Sequence, residues 1–161
     1  LAALEGLRVL VIDADFRRPA VHEIFGPKAR AGMAEVLKSE LTFEEALAED
    51  PRTSLKILPG SRRLDQPTRL LGNEGVGPLL ATAKARFDLV LVDSAPLLAV
   101  ADARLLAPQA DRVVVAIRWH ATARAVAHHC LAELKASGAP VTGAVLTLVA
   151  IRRHAATLEE S

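Results

Sequence analysis

Asp13 and Asp15, followed closely by Arg17, Arg18 and Pro19, end the apolar run Val9-Leu10-Val11-Ile12. Asp93, followed by Ser94-Ala95-Pro96, ends a second run, Leu89-Val90-Leu91-Val92. Carboxylates placed this way can hold a metal ion or activate a nucleophile. Branched residues in series without polar alternation leave no solvent face, so each run predicts a strand buried on both faces of a parallel sheet. In open α/β sheets ligands bind beyond the carboxyl ends of the strands, which is where both runs deliver their acids.

The chain that must carry these acids has 161 residues, 51% of them apolar, which suits one domain with a substantial core. Its formal net charge of +1 creates no global field toward nucleic acid or an anionic membrane, and no nucleic-acid partner is expected. Cys130 is the only cysteine and cannot close an intrachain disulfide, which fits a reducing compartment. Tyrosine is absent and aromatics make up 3%, so the segment offers neither a stacking platform for single-stranded nucleic acid nor tyrosine chemistry of its own. No apolar run reaches the roughly 18 residues of a membrane span, and no signal peptide precedes the first strand.

Helical and strand patterns alternate along the chain, the signature of βαβ units. Residues 1–5 read as the last turn of a helix closed by Gly6, and a first strand follows over Arg8 to Asp13. Gly32 to Lys38 is a short amphipathic piece, and Thr42-Phe43-Glu44-Glu45 is a capping box that predicts a helix to about Glu49. Leu55 to Leu58 predicts a short strand, stopped by Pro59-Gly60. Residues 61–78 predict a polar surface loop around a helical turn at Thr68 to Leu71. Beyond it come a helix over Leu79 to Arg86, the Asp93 strand, a helix near Asp102 to Leu106 and a strand over Arg112 to Ile117. A helix over Thr122 to Lys135 sets Val126, Cys130, Leu131 and Leu134 on one face, with Gly138 as its stop, and Val141 to Val149 is expected to close the sheet.

These residues carry a resemblance. Ile12-Asp13-Ala14-Asp15-Phe16-Arg17, continued by Arg18-Pro19, and Val92-Asp93-Ser94-Ala95-Pro96 resemble the Walker A-prime and Walker B motifs of bacterial tyrosine kinases, the P-loop-type ATPase domains of exopolysaccharide and capsule export systems. Leu58-Pro59-Gly60 and Asp65-Gln66-Pro67-Thr68-Arg69-Leu70-Leu71 are similar to the family's Leu-Pro-x-Gly and Asn-Pro-x-Glu-Leu-Leu patterns, and Ala101-Asp102-Ala103 matches too. The resemblance implies an α/β fold, a mostly parallel sheet sandwiched by helices as in P-loop NTPases, over residues 1–150, with 151–161 a polar tail. It implies ATP and magnesium as cofactors, with Asp15 and Asp93 holding the metal, since magnesium is commonly bound by one or two carboxylates together with nucleotide phosphates. Asp13 would orient or deprotonate the incoming hydroxyl, an exchange of roles with Asp15 remaining open. Arg17 would neutralise phosphate charge or fix the two carboxylates as a bidentate partner. Where the family often carries an Asn that contacts the base, this sequence has Thr147. The implied partners are a membrane-spanning polysaccharide co-polymerase segment, fused or separate, and further copies in a homo-oligomer; the implied location is the cytoplasmic face of the cell membrane.

One departure is upstream. The family's Gly-x-x-x-x-Gly-Lys-Ser/Thr loop, which gives backbone amides and a lysine to the phosphates, belongs before the helix end at residues 1–5 and does not occur in this sequence. The expectation is a piece of a longer protein without its first P-loop strand, leaving a gap at the centre of the sheet. Losing about three charge-assisted contacts removes roughly 5 to 9 kcal/mol, comparable to the roughly 8 kcal/mol of micromolar binding. The piece alone is therefore expected to bind ATP weakly or not at all. The parent is expected to be a kinase that regulates polysaccharide polymerisation and export. The alternative is a degenerate, non-catalytic regulatory module of the co-polymerase, favoured by the absence of tyrosine and by Thr147.

The remaining candidates have ordinary readings. His120, His128, His129 and Cys130 offer no i, i+4 ligand pair and read as solvated histidines beside a core cysteine. Trp119 could line a base pocket or simply pack, and Arg62-Arg63 and Arg152-Arg153 read as solvated pairs.

Overall fold

A computed structural model describes residues 5–21, 31–60, 64, 66–72 and 75–150. The chain forms two compact units, Leu1–Leu106 and Ala107–Ser161.

The first unit is built on β1 (Val9–Asp13), which lies between β3 (Lys56–Leu58) and β4 (Leu89–Asp93) and runs parallel to both; β2 (Ala48–Glu49) adds an antiparallel outer strand, giving the order β2-β3-β1-β4. Around it stand α1 (Met33–Leu37), α2 (Pro67–Leu71), α3 (Val76–Arg86) and α4 (Asp102–Leu106). Side chains alternate across a strand, and β1 serves a different core on each face. Leu10 and Ile12 enter a large cluster with Phe16, Met33, Leu58 and Leu79. Val9 packs into a smaller one with Val21, Leu55 and Ile57, and Val11 lies against it. The expectation of burial on both faces therefore holds for β1.

For β4 that expectation fails. Val90 and Val92 pack against the large cluster, but Leu89 is 37% and Leu91 49% exposed. The reason is position. Leu89 and Leu91 share the face of Val9 and Val11, and the smaller cluster on that face does not extend to β4.

The capping box at Thr42 also turns out differently. Both of its bonds form, Thr42 N–H to Glu45 Oε2 at 2.9 Å and Glu45 N–H to Thr42 Oγ1 at 3.3 Å. The helix nevertheless stops after a turn over residues 43–46, and Ala48–Glu49 become β2. Pro51 disfavours a helical Asp50, and the antiparallel pairing of β2 with β3 supplies the backbone bonds that a helix would have made. In the opposite direction, α3 begins three residues before its expected start, with Pro78 tolerated in the first turn, where its missing N–H costs no intrahelical bond. Gly6 takes the left-handed φ of +88° that suits a helix stop, although residues 1–4 of that expected turn lie outside the described residues.

The second unit pairs β5 (Val113–Arg118) with β6 (Val141–Thr147) in parallel, crossing over through α5 (Arg124–Ala136). Instead of closing a larger sheet, β6 bonds to β5 alone among the described strands. Val145 and Leu146 are both more than half exposed, so neither face of β6 is sealed. The expected apolar face of α5 is realised in part: Leu134 is buried, Cys130 and Leu131 are half-buried, and Val126 is exposed. The tail beyond Ala150, including Arg152-Arg153, lies outside the described residues, as does Arg62-Arg63.

Candidate functional site: the carboxyl ends of β1 and β4

Asp13 and Asp93 sit opposite each other in the parallel register of β1 and β4, so two acids far apart in sequence end neighbouring strands side by side. The ladder extends one step further, with Ala14 N–H donating to the Asp93 carbonyl at 2.8 Å. Beyond it the loop of residues 14–21 is tied down by the acids themselves. Asp13 Oδ1 accepts from Asp15 N–H at 3.2 Å and Oδ2 from Val21 N–H at 3.1 Å. Asp15 Oδ1 in turn accepts from the N–H groups of Arg17 and Arg18, each at 3.0 Å. This is turn chemistry of the kind Asp favours, and it leaves Asp15 Oδ2 without a recorded partner among the described residues.

Asp13 is fully buried, whereas Asp15 is half-buried and Asp93 exposed. Burial pushes the Asp13 carboxyl above the ordinary carboxylate range; its backbone hydrogen bonds pull the other way, and the nearby charge of Asp93 adds to the rise. Asp93 is also raised, by desolvation first and then by the charge of Asp15. Gly60 closes the floor. A Cβ there would lie 2.9 Å from Pro19 Cβ and 3.0 Å from Asp13 Cγ, so the Pro59-Gly60 turn approaches the acid as only glycine allows.

Arg17 does not fix Asp13 and Asp15 as a bidentate partner. Its Nε donates to Asp102 Oδ2 at 2.9 Å and its Nη2 to Thr68 Oγ1 at 3.1 Å, while Thr68 Oγ1 donates to Asp102 Oδ1 at 2.5 Å. Thr68 and Asp102 are thus site neighbours that residue-type reasoning did not assign. The available signal was their place in Gln66-Pro67-Thr68 and Ala101-Asp102-Ala103, each opening a short helix.

Magnesium fits the acids in chemistry. The charge of Asp15 acts on Asp93, and neither carboxylate has an ion-pair partner among the described residues. Among the described residues no group of three or more His, Cys, Asp or Glu could hold a metal. Magnesium commonly takes one or two carboxylates and completes its shell with phosphate and water. Thr147 belongs to the second unit, where its Oγ1 donates to the Ile117 carbonyl at 3.4 Å and its carbonyl accepts from Trp119 N–H at 3.0 Å. Trp119 stacks edge-on against His120, with ring centroids 4.1 Å apart. Among the described residues no helix is long and apolar enough to cross a membrane.

No family model matches the chain. Individual proteins do. The succinoglycan biosynthesis transport protein ExoP of Rhizobium meliloti is 34% identical over 149 residues, covering 91% of this chain and 19% of ExoP. Tyrosine-protein kinase YwqD of Bacillus subtilis is 31% identical over 152 residues, covering 94% of this chain and 64% of YwqD. The chain thus spans about a fifth of the first relative and just under two thirds of the second. The kinase domain of the Escherichia coli tyrosine kinase ETK superposes with a TM-score of 0.86 at 26% identity, covering 89% of this chain and 56% of that domain. A mixed α/β fold rich in parallel strands, two Walker-like acids in register and these relatives agree: the chain is a homologue of the bacterial tyrosine kinases, on the scaffold of the P-loop NTPases.

Proposed function

We propose that the chain is the core of an ATP-dependent protein tyrosine kinase that serves exopolysaccharide export, with its phosphotransfer site at the carboxyl ends of β1 and β4. The observation that carries this reading is the register match of Asp13 with Asp93, which brings Asp15 beside them at one strand end. Asp15 and Asp93 are the carboxylates that would hold magnesium, which when bound would neutralise phosphate charge. A general base must come within hydrogen-bond reach of the hydroxyl it deprotonates. Asp13 is buried with both oxygens committed to backbone N–H groups, so its part is to hold the loop, and Asp15 is the better placed of the two to meet a ligand. Thr147 is the candidate base contact. The remaining assignments, a membrane-spanning co-polymerase segment, fused or separate, a homo-oligomer and a place at the cytoplasmic face of the membrane, follow from the sequence resemblance and belong to the same proposal.

The test is titration of the gene product with magnesium and ATP, followed by phosphate transfer to a tyrosine-bearing acceptor. Asp93→Asn should lower transfer ~100-fold or more, as removal of one preorganised electrostatic group does; unchanged transfer would sink the reading. The 161-residue stretch alone contains no Gly-Lys-Ser/Thr loop and should bind ATP far more weakly than micromolar. Micromolar binding by it would refute the weight given to that loop. A second reading, a regulatory module without chemistry, draws on the absence of tyrosine from these residues and on Thr147 in place of Asn. It predicts wild-type partner binding with no transfer at all.

A further inference from the structure

Arg17, Thr68 and Asp102 come from the loop after β1, the first turn of α2 and the first residue of α4, three segments that meet only in the folded first unit. They close a ring. Asp102 is buried and a buried carboxylate needs partners for its oxygens; Arg17 Nε takes Oδ2 and the Thr68 hydroxyl takes Oδ1. Thr68 Oγ1 spends its acceptor capacity on Arg17 Nη2, so Thr68 donates on one side and accepts on the other. The guanidinium is planar and held at both Nε and Nη2, which fixes its orientation as a single bond would not. Its side chain is still 39% exposed, and among the described residues Nη1 has no recorded partner. One edge is therefore locked and the other is open, on a loop whose backbone at Arg17 and Arg18 is tied to Asp15.

We propose that Thr68 and Asp102 are positioning residues for Arg17, holding its guanidinium so that the open edge meets a phosphate oxygen brought to Asp15 and Asp93. This rests on the phosphotransfer reading above and adds to it a group that orients the phosphate. A carboxylate pair attracts cations and repels phosphate; a guanidinium fixed on the same loop as Asp15 supplies the opposite sign. Asp102 buries the charge that keeps Arg17 in place, and Thr68 sets the angle. If the ring served only to join loop to helices, any substitution of similar volume at Thr68 would alter stability without altering the kinetics of the folded protein.

The experiment is a double-mutant cycle in the full gene product, with transfer kinetics and urea unfolding measured on each variant. Thr68→Val removes the hydroxyl at nearly constant volume and should lower kcat ~10- to 100-fold, the cost of a misplaced group in a phosphotransfer geometry, while KM for the acceptor stays unchanged. Thr68→Ser should return most of the activity. In an Arg17→Ala background Thr68→Val should have no further effect on kcat. An equal loss in both backgrounds, or an intact kcat in Thr68→Val, overturns the proposal. A second readout does not need turnover: the ¹⁵N–¹H signals of the Arg17 guanidinium, resolved and shifted by inorganic phosphate in the wild type, should collapse toward the free-arginine positions at Nη2 in Thr68→Val and at Nε in Asp102→Asn. Wild-type protein without any transfer defeats the kinase reading alone. In that event the guanidinium signals decide the positioning claim, and an Nη2 signal that persists in Thr68→Val refutes it.

Discussion

β1 and β4 are built to the same local plan: an apolar run of four branched residues, then an aspartate, paired in parallel register with the two acids opposite each other. Their environments differ in every other respect. β1 has a strand on each side and a core on each face, and its aspartate is buried, bonded through both oxygens to the loop that follows. β4 has one partner strand, packs Val90 and Val92 inward, exposes Leu89 and Leu91, and leaves its aspartate open. The apolar run specifies a strand, but the number of neighbours decides how much of the strand is buried. One aspartate is thereby made part of the frame, and the other is left exposed.

The sharpest test of this contrast is truncation in the two strands. Ile12→Ala should cost about 2–5 kcal/mol, because it empties a fully buried position of the large cluster. Leu91→Ala, at a half-exposed position, should cost less than about 1 kcal/mol by the area it still buries. Urea unfolding of both variants compares them directly, and equal losses would mean that β4 is covered to the same degree as β1.

The acids come next. Asp13→Ala leaves the N–H groups of Val21 and Asp15 without their acceptors, at about 1–3 kcal/mol for each donor so orphaned. Asp93→Ala should stay within about 0.5 kcal/mol of the wild type, as surface changes do. A large loss at Asp93 would give it a structural share that its exposure denies.

Glycines give a smaller and sign-changing version of the comparison. Gly60→Ala presses a methyl against Pro19 and Asp13, an overpacking cost of about 1–3 kcal/mol. Gly143→Ala, on β6 where an added Cβ meets nothing within 4 Å, should stabilise by roughly 0.5–1 kcal/mol through the lost chain entropy of glycine. Thermal melts of the pair should move in opposite directions.

The smallest effect is a pH dependence at the two ends of β4. Asp93 is raised in the fold, so its protonated form is favoured there; its contribution to stability is present below the ordinary carboxylate pKa of 3.8 and is lost as pH rises through the higher folded value. Asp88, just before β4, is lowered to about 2 by hydrogen bonds from the Arg8 side chain and backbone, so its contribution is present above 3.8 and is lost as pH falls toward 2. Asp93→Asn should flatten the decline above the ordinary range, and Asp88→Asn should flatten the acid limb. The reverse assignment of the two limbs would contradict the desolvation of Asp93 and the Arg8 hydrogen bonds of Asp88.

How far the sequence could be read depended on the range of the interactions involved. β1, β3, α2, α4 and the parallel strands β5 and β6 follow from runs and breakers a few residues long. The helix expected after Thr42 fails because Pro51 and the pairing with β3 lie outside the capping box that announces it. The acids Asp13, Asp15 and Asp93 were legible because each ends an apolar run. The partners of Arg17 were not: Thr68 and Asp102 gain meaning only when α2 and α4 come together over the loop.

By itself the sequence determined the alternation of strands and helices, the placement of an aspartate at the end of each apolar run, and the absence from these residues of a phosphate-gripping Gly-Lys loop. Those are local properties, set by side-chain branching, turn residues and composition. Tertiary structure alone decided which aspartate is buried, that Arg17 answers to Asp102 instead of to Asp13 and Asp15, and that β4 keeps an open face. Each depends on what lies across a strand or above a loop, and neighbours of that kind are fixed by packing over long separations, where no short pattern of residues records them.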